Sequence, residues 1–309
     1  MRDFSEAQAV SASLDTMRPK ATWTSHITSF AKRKPFGAFG AVVMVLLILI
    51  AALAPVISPY DPYRVHVGNK YASPGEVEVK KGGTFLLGSD HLGRDTFSRL
   101  IYGSRISLYV GLVSVAIGVT IGSVIGIVSG YFSGKFDLVV QRIVDGFMAF
   151  PPLILALTIM AVLGQSLENV IIAVCVVLIP GAARLIRSRV LSLREMDYIT
   201  AAKAVGCGSG RIMYRHILPN TLATYIVFAT ITLGWAIIVE ASLSFLGLGT
   251  PPDVPSWGGM LAVASRQWIE VSPWLVLFPA LALSIVVIAF NVLGDSLRDI
   301  MDPRLRGTN

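Results

Sequence analysis

Uncharged apolar runs alternate with polar connections along most of this chain, and the runs approach the roughly 20 residues that a helix needs to cross the hydrocarbon of a bilayer. Reading them between charges predicts six spanning helices, at 38–57, 106–129, 146–165, 169–186, 222–247 and 274–294. The fourth is the shortest, with fifteen uncharged residues between Glu168 and Arg184, so Arg184 or Arg187 must reach the interface along its aliphatic stem. The connections divide the chain into an N-terminal tail (1–36), a first helix (37–57), an insert (58–105), a five-helix core (106–294) that contains a polar loop (184–221), and a tail (295–309). The expected fold class is an all-α integral membrane bundle.

Six spans put both termini on one side. That side then holds 18 Lys and Arg against 8 on the other, so the positive-inside rule puts the termini and the 184–221 loop in the cytoplasm. Composition agrees with membrane residence: 54% of residues are hydrophobic and 15% charged, where soluble domains carry about 25% charge. The net charge of +7 is spread over loops that a bilayer separates, so topology accounts for it better than a nucleic-acid partner does. Ala52-Leu53-Ala54 has the form of a signal cleavage site, but 36 residues precede the first apolar run and the run is longer than a signal core. It is read as an uncleaved span. Trp23, Ile27 and Phe30, leading into Lys32-Arg33-Lys34, predict a short helix along the inner interface.

The polar loop contains Asp197-Tyr198-Ile199-Thr200-Ala201-Ala202-Lys203-Ala204-Val205-Gly206 and continues to Arg215-His216-Ile217-Leu218-Pro219. Tyr198 to Val205 has small residues and no breaker, which predicts about two helical turns ended by Gly206 in a left-handed conformation. Such a helix, with its Ala-Ala face, can seat closely in a groove on a partner. A second pattern lies in the second span, where Ser114, Gly118, Gly122, Gly126 and Gly130 recur every four residues. Each helix-interior Gly costs about 1 kcal/mol relative to Ala, so a line of them needs a packing reason. Two readings stand: a contact that slides between two states, or static packing within the subunit.

Phe150-Pro151-Pro152 follows Asp145 near the start of the third span. Either the prolines bend a helix and make a gate at the cytoplasmic end, or a helix starts at Pro151. Glu240 is the acidic residue that falls well inside a span, where a lipid-facing carboxylate is costly, so it is expected to face a pathway or a partner. Trp257 and Trp268 of the 250–272 loop, with Trp274 just after it, are expected in an interfacial belt. In the insert, Gly88-Ser89-Asp90-His91-Leu92-Gly93-Arg94-Asp95 is read as turns and a helix cap rather than a metal site. Cys175 and Cys207 are read as packing residues. Gly130 to Lys135 is one residue short of a phosphate loop and lacks the following Ser or Thr, so no nucleotide site or catalytic constellation is expected in the chain.

The polar loop resembles the ATPase-docking loop of ABC-importer permeases, in which Ala-Ala, Gly and Leu-Pro stand at the spacings of Ala201-Ala202, Gly206 and Leu218-Pro219. Thr200 and His216 replace a Glu and an Ile of the general pattern, as in the peptide-transporting branch. The insert motif, Ala241-Ser242-Leu243-Ser244-Phe245-Leu246-Gly247-Leu248-Gly249 and the segment from Asn291 to Arg306 also resemble that branch. The chain is identified on these motifs as a member of the second, C-type permease subunits of dipeptide and oligopeptide ABC importers. The resemblance implies a six-span type I importer permease with a coupling helix between spans four and five, in a bacterial inner membrane. It also implies a homologous permease partner forming a heterodimer, two ATPase subunits or domains that bind ATP and Mg, and an extracytoplasmic binding protein. Asp197, Tyr198, Thr200, Ala201, Ala202, Lys203, Gly206, Arg215, Leu218 and Pro219 become the docking candidates. Glu240 acquires two readings, a contact to a peptide's amino group in transit or one to the partner permease. Glutathione and nickel chelates are alternative cargoes. An ion-coupled secondary transporter is the rival class, and it ordinarily shows inverted repeats and paired intramembrane charges.

Overall fold

The computed structural model describes residues 32, 34–66, 68–78, 83–267, 270 and 272–301. The expected interfacial helix around Trp23, Ile27 and Phe30, Trp268, and the end of the C-terminal tail lie outside them. Helix α1 (Pro35–Ala52) opens on a proline in its first turn, where no intrahelical donor is lost, and breaks at Leu53 into the short α2 (Ala54–Ile57). Its sides are exposed at Phe39, Val42, Val45 and Leu46, as suits a lipid-facing helix. The ion pair Lys34–Asp299 ties its start to the far end of the chain.

The insert has two isolated antiparallel bridges, Val77 with Thr84 and Ser89 with Asp95, and leads into α3 (Thr96–Phe132). Asp95 caps α3 by accepting from the Ser98 N–H at 2.8 Å, and Asp90 Oδ1 accepts from the Leu92 and Arg94 N–H groups at 2.9 Å each. The cap starts α3 ten residues before the expected 106, because a helix carries Arg99 and Arg105 without difficulty once it leaves the apolar layer.

Helix α4 (Gly134–Met148) and α5 (Pro152–Leu163) occupy the third-span region and meet at an angle of 86°. The expected single span at 146–165 is therefore corrected. Pro151 is the N-cap of α5, and an amphipathic helix precedes it where a loop was expected. Helix α6 (Leu167–Arg194) follows, capped by Ser166, which accepts from the Asn169 N–H at 3.1 Å. It runs eight residues past the expected 186 because its arginines lie beyond the apolar stretch. Then come α7 (Asp197–Ala204), α8 (Ser209–Ile212), a π turn at Met213–Ile217, α9 (Leu218–Phe245), α10 (Trp257–Gln267) and α11 (Trp274–Met301). Among the described residues five helices are long and apolar enough to cross a membrane, and six spans result if the bent α4–α5 pair is one.

The central contact is α3 against α6. Ser114, Gly118, Gly122, Gly126 and Gly130 are all buried, and their ridge lies on α6. A Cβ on Gly122 would come 2.5 Å from the Ile179 carbonyl oxygen, and one on Gly126 would come 2.5 Å from that of Ala183. The two backbones touch along this line inside the subunit. Around it Val110, Val119, Met160, Val174, Leu178, Ala236 and Leu243 join α3, α5, α6 and α9 in one core. Cys175 packs there, its thiol directed at the Ser114 carbonyl 3.4 Å away. Trp257 departs from the expected interfacial belt. It is 2% exposed and its indole N–H donates to the Leu100 carbonyl at 3.0 Å, so it fastens α10 to α3.

Candidate functional site

The loop between α6 and α9 folds around a small apolar cluster of its own. Ile199 is fully buried among Ile186, Val190 and Leu193 of α6 and Ile212 and Ile217 of the following turns, with Ala202 and Leu218 half-buried at its edge. Helix α7 ends in a Schellman closure: the Gly206 N–H donates to the Lys203 carbonyl at 2.9 Å and the Cys207 N–H to that of Ala202 at 3.0 Å. Gly206 has φ +83°, a value that costs an L side chain about 1 kcal/mol or more. Ala202 and Cys207 both pack on the cluster, supplying the apolar contact that accompanies this closure.

One face of α7 is thus spent on anchoring, and the opposite face is free. Tyr198, Ala201 and Val205, at i, i+3 and i+7, form an exposed stripe, flanked by Met196 and by Tyr214, which is 76% exposed. Asp197, Thr200, Lys203, Gly206, Arg215 and Pro219 are exposed around it, and Lys203 lies over the Tyr131 ring at 5.9 Å. The structure divides the Ala-Ala pair, turning Ala201 outward and Ala202 inward. Sequence reasoning passed over Ile199, Ile212 and Ile217 as anchors; their signal was the isolated β-branched residues inside a polar loop.

Two ion pairs join α4 to α6. Arg187 holds Asp137 through both its Nε and Nη2, at 2.6 and 2.5 Å, and Ser129 and Gln141 complete that cluster. Arg184 bonds Asp145. One turn from this second pair, Phe147, Phe150, Leu155, Gly181, Phe228 and Trp235 line an open cavity of about 360 Å³. Of the three candidates Phe150 lines this cavity, Pro151 caps α5 between the lining residues Phe150 and Pro152, and Asp145 stands two residues before Phe147.

Glu240 is placed differently from either expectation. It is fully buried within the subunit, accepting from Ser244 Oγ at 2.9 Å and from Ser107 Oγ of α3 at 3.3 Å. Ser244 continues to Thr250 at 3.1 Å, and Thr250 to Ser256 at 2.8 Å. In this structure the carboxylate is inaccessible from outside the subunit, and its internal donors satisfy the same demand that the group avoid lipid.

A family profile described as "binding-protein-dependent transport system inner membrane component" matches residues 122–307. The chain belongs to this family of inner-membrane transport components. Residues 30–74 match a second profile, the N-terminal transmembrane domain of oligopeptide transport permease C. The dipeptide transport system permease protein DppC of Alkalihalophilus pseudofirmus is 46% identical over 71% of this chain and 72% of its own length. The glutathione transport system permease protein GsiD of Shigella flexneri is 49% identical over 72% and 73%. The fold is that of an ABC importer permease: a solved inward-facing MetNI methionine ABC transporter chain superposes with a TM-score of 0.55 at 21% identity, over 66% of this chain and 96% of that one.

In this inner-membrane component the smaller match includes α1 and the start of the insert, and the larger one begins at Gly122 inside α3 and includes α6 and the whole α7 loop. Glu240, Ser244, Thr250 and Ser256 lie in the larger match, and the bond to Ser107, outside it, fastens α9 to α3. Glu240→Leu is expected to lower the thermal stability of the purified inner-membrane component by about 1–3 kcal/mol, because Ser107 and Ser244 lose their buried acceptor. Glu240→Gln keeps a carbonyl for them and should lose less. Unfolding curves in detergent check this, and a Leu variant as stable as the parent would refute the fastening role.

Proposed function

We propose that this chain is the permease subunit of an ATP-driven importer of peptides, working beside a homologous permease, two ATPase subunits or domains and an extracytoplasmic binding protein. The observation that carries the reading is the α7 helix, fixed to the bundle by Ile199 and closed by Gly206 while Tyr198, Ala201 and Val205 stay exposed. A rigid helix with one free face transmits force from a partner to the helix behind it, here α6. ATP and Mg belong to the partner ATPases in this scheme, and the α7 loop lies in the cytoplasm with both termini.

The Asp145–Arg184 pair and the α4–α5 break form a gate at the cytoplasmic mouth of the Phe147–Trp235 cavity. Movement of α7 pulls on α6, which carries Arg184, and the pair parts or closes. Peptide cargo is supported by the dipeptide permease relatives, and glutathione, itself a peptide, falls in the same chemical class. The assembled transporter in proteoliposomes should take up labelled di- and tripeptides when ATP is supplied on the α7 side. Uptake driven by an ion gradient without ATP or ATPase subunits would instead establish the secondary-transporter class.

A further inference from the structure

At the end of the bundle away from α7, the turn that starts α3 encloses a small cavity against α10 and α11. Its space is about 30 Å³, where one water needs about 10–15 Å³. It therefore admits two oxygen atoms and little more. Its polar lining is Asp90, His91, Arg94, Thr96 and Arg99, and the rest of the wall is apolar. Thr96 is fully buried, and its hydroxyl has no hydrogen-bond partner; neither has the buried Nδ1 of His91.

The charges are unequal as well. Arg94 Nε bonds Asp90 Oδ2 at 2.7 Å, and Arg99 Nε stands 4.0 Å from the same oxygen. Arg99 Nη1 otherwise donates to the neutral carbonyls of Pro62 and Asp253, at 3.1 and 3.3 Å. Two guanidinium groups thus share one carboxylate among the described residues of the lining, and both arginines are nearly buried. Water can partner Thr96 and His91 but adds no negative charge to the shared Asp90 and the further Asp253 carboxylate that offset the two buried guanidinium groups. A carboxylate does both: its two oxygens accept from the hydroxyl and take charge-assisted bonds from the arginines.

We propose that this cavity is a binding site for a carboxylate group presented from the side of the membrane opposite the docking helix. The two sources of that chemistry, named on the transport reading above, are the free carboxyl terminus of a peptide substrate and an Asp or Glu side chain of the binding protein. The site itself does not depend on that reading, and acetate probes it alone.

With the assembled complex in detergent, acetate should raise the unfolding temperature of this subunit above that in equal chloride. Thr96→Val removes a hydroxyl that bonds nothing in the protein, so it leaves the fold intact and should abolish the acetate shift; Arg94→Gln should weaken it. No shift in the parent, or an unchanged shift in Thr96→Val, overturns the proposal in favour of water. Uptake then separates the sources. If the peptide supplies the carboxylate, Thr96→Val lowers transport of free peptides by about tenfold and spares carboxyamidated ones. If the binding protein supplies it, both peptides suffer alike and the binding protein's affinity for the complex falls by the same factor. An acetate shift with neither functional change marks an adventitious ion only and rejects the site. Should the parent transport no peptide at all, the transport reading fails while the acetate experiment still decides the cavity.

Discussion

Ala201→Arg should cut ATP-driven peptide uptake by at least about tenfold, because a central, small contact residue is replaced by a long cation that a close-fitting groove cannot desolvate. Ala201 is exposed, so the variant should insert and fold like the parent. Its neighbour Ala202 is the control that the structure adds. Ala202→Arg forces a charge toward the Ile199 cluster, and it should lower stability as well as uptake. Uptake, ATPase activity of the complex and co-purification of the ATPase subunits are the measurements. Normal uptake by Ala201→Arg with ATPases still attached would end the docking assignment of α7.

Gly122→Leu should be more damaging to the protein itself. The nearest atoms to a Cβ at that position are backbone and Cβ atoms of α6, at 2.5 to 3.1 Å, which no rotamer change can clear. The helices must separate, and the loss of the α3–α6 contact is expected to exceed the ordinary overpacking cost of about 1–3 kcal/mol. Val124→Leu, two residues away and 55% exposed, places the same side chain outside that contact. Yield of folded protein by size-exclusion chromatography should collapse for the first and stay normal for the second. Equal yields would mean that the ridge does not hold the bundle together.

The helices were legible because lipid imposes a length, and the α7 stop was legible because Gly206 follows a run without breakers. Charges misled in one direction. Counting a span as finished at residue 186 or unstarted before 106 mistook the edge of the apolar layer for the edge of the helix, although Asp95 was a visible cap. The region 134–148 was missed because Lys135, Asp137, Arg142 and Asp145 break its hydropathy, while their ion pairs to α6 exist only in three dimensions. Glu240 shows the same limit. Sequence says that a buried carboxylate needs donors, and only the fold says that Ser107, 133 residues away, provides one.

The break at Pro151 carries a consequence for the lipid. Helix α5 has 12 residues and rises about 18 Å, well short of a hydrocarbon layer of about 30 Å. With α5 upright, the 86° bend lays α4 almost flat. Phe136, Val139 and Ile143 then form an exposed apolar keel along one side of α4, while Asp137 and Asp145 hold its other side to α6. Laid along a membrane surface, such a helix would float like a hinged raft, and a bilayer in contact with α5 would have to thin toward its depth. Because α4 is moored to α6 at two points, a tilt of α6 would then change how deeply the raft rides, and the surrounding lipid would become a load on that motion.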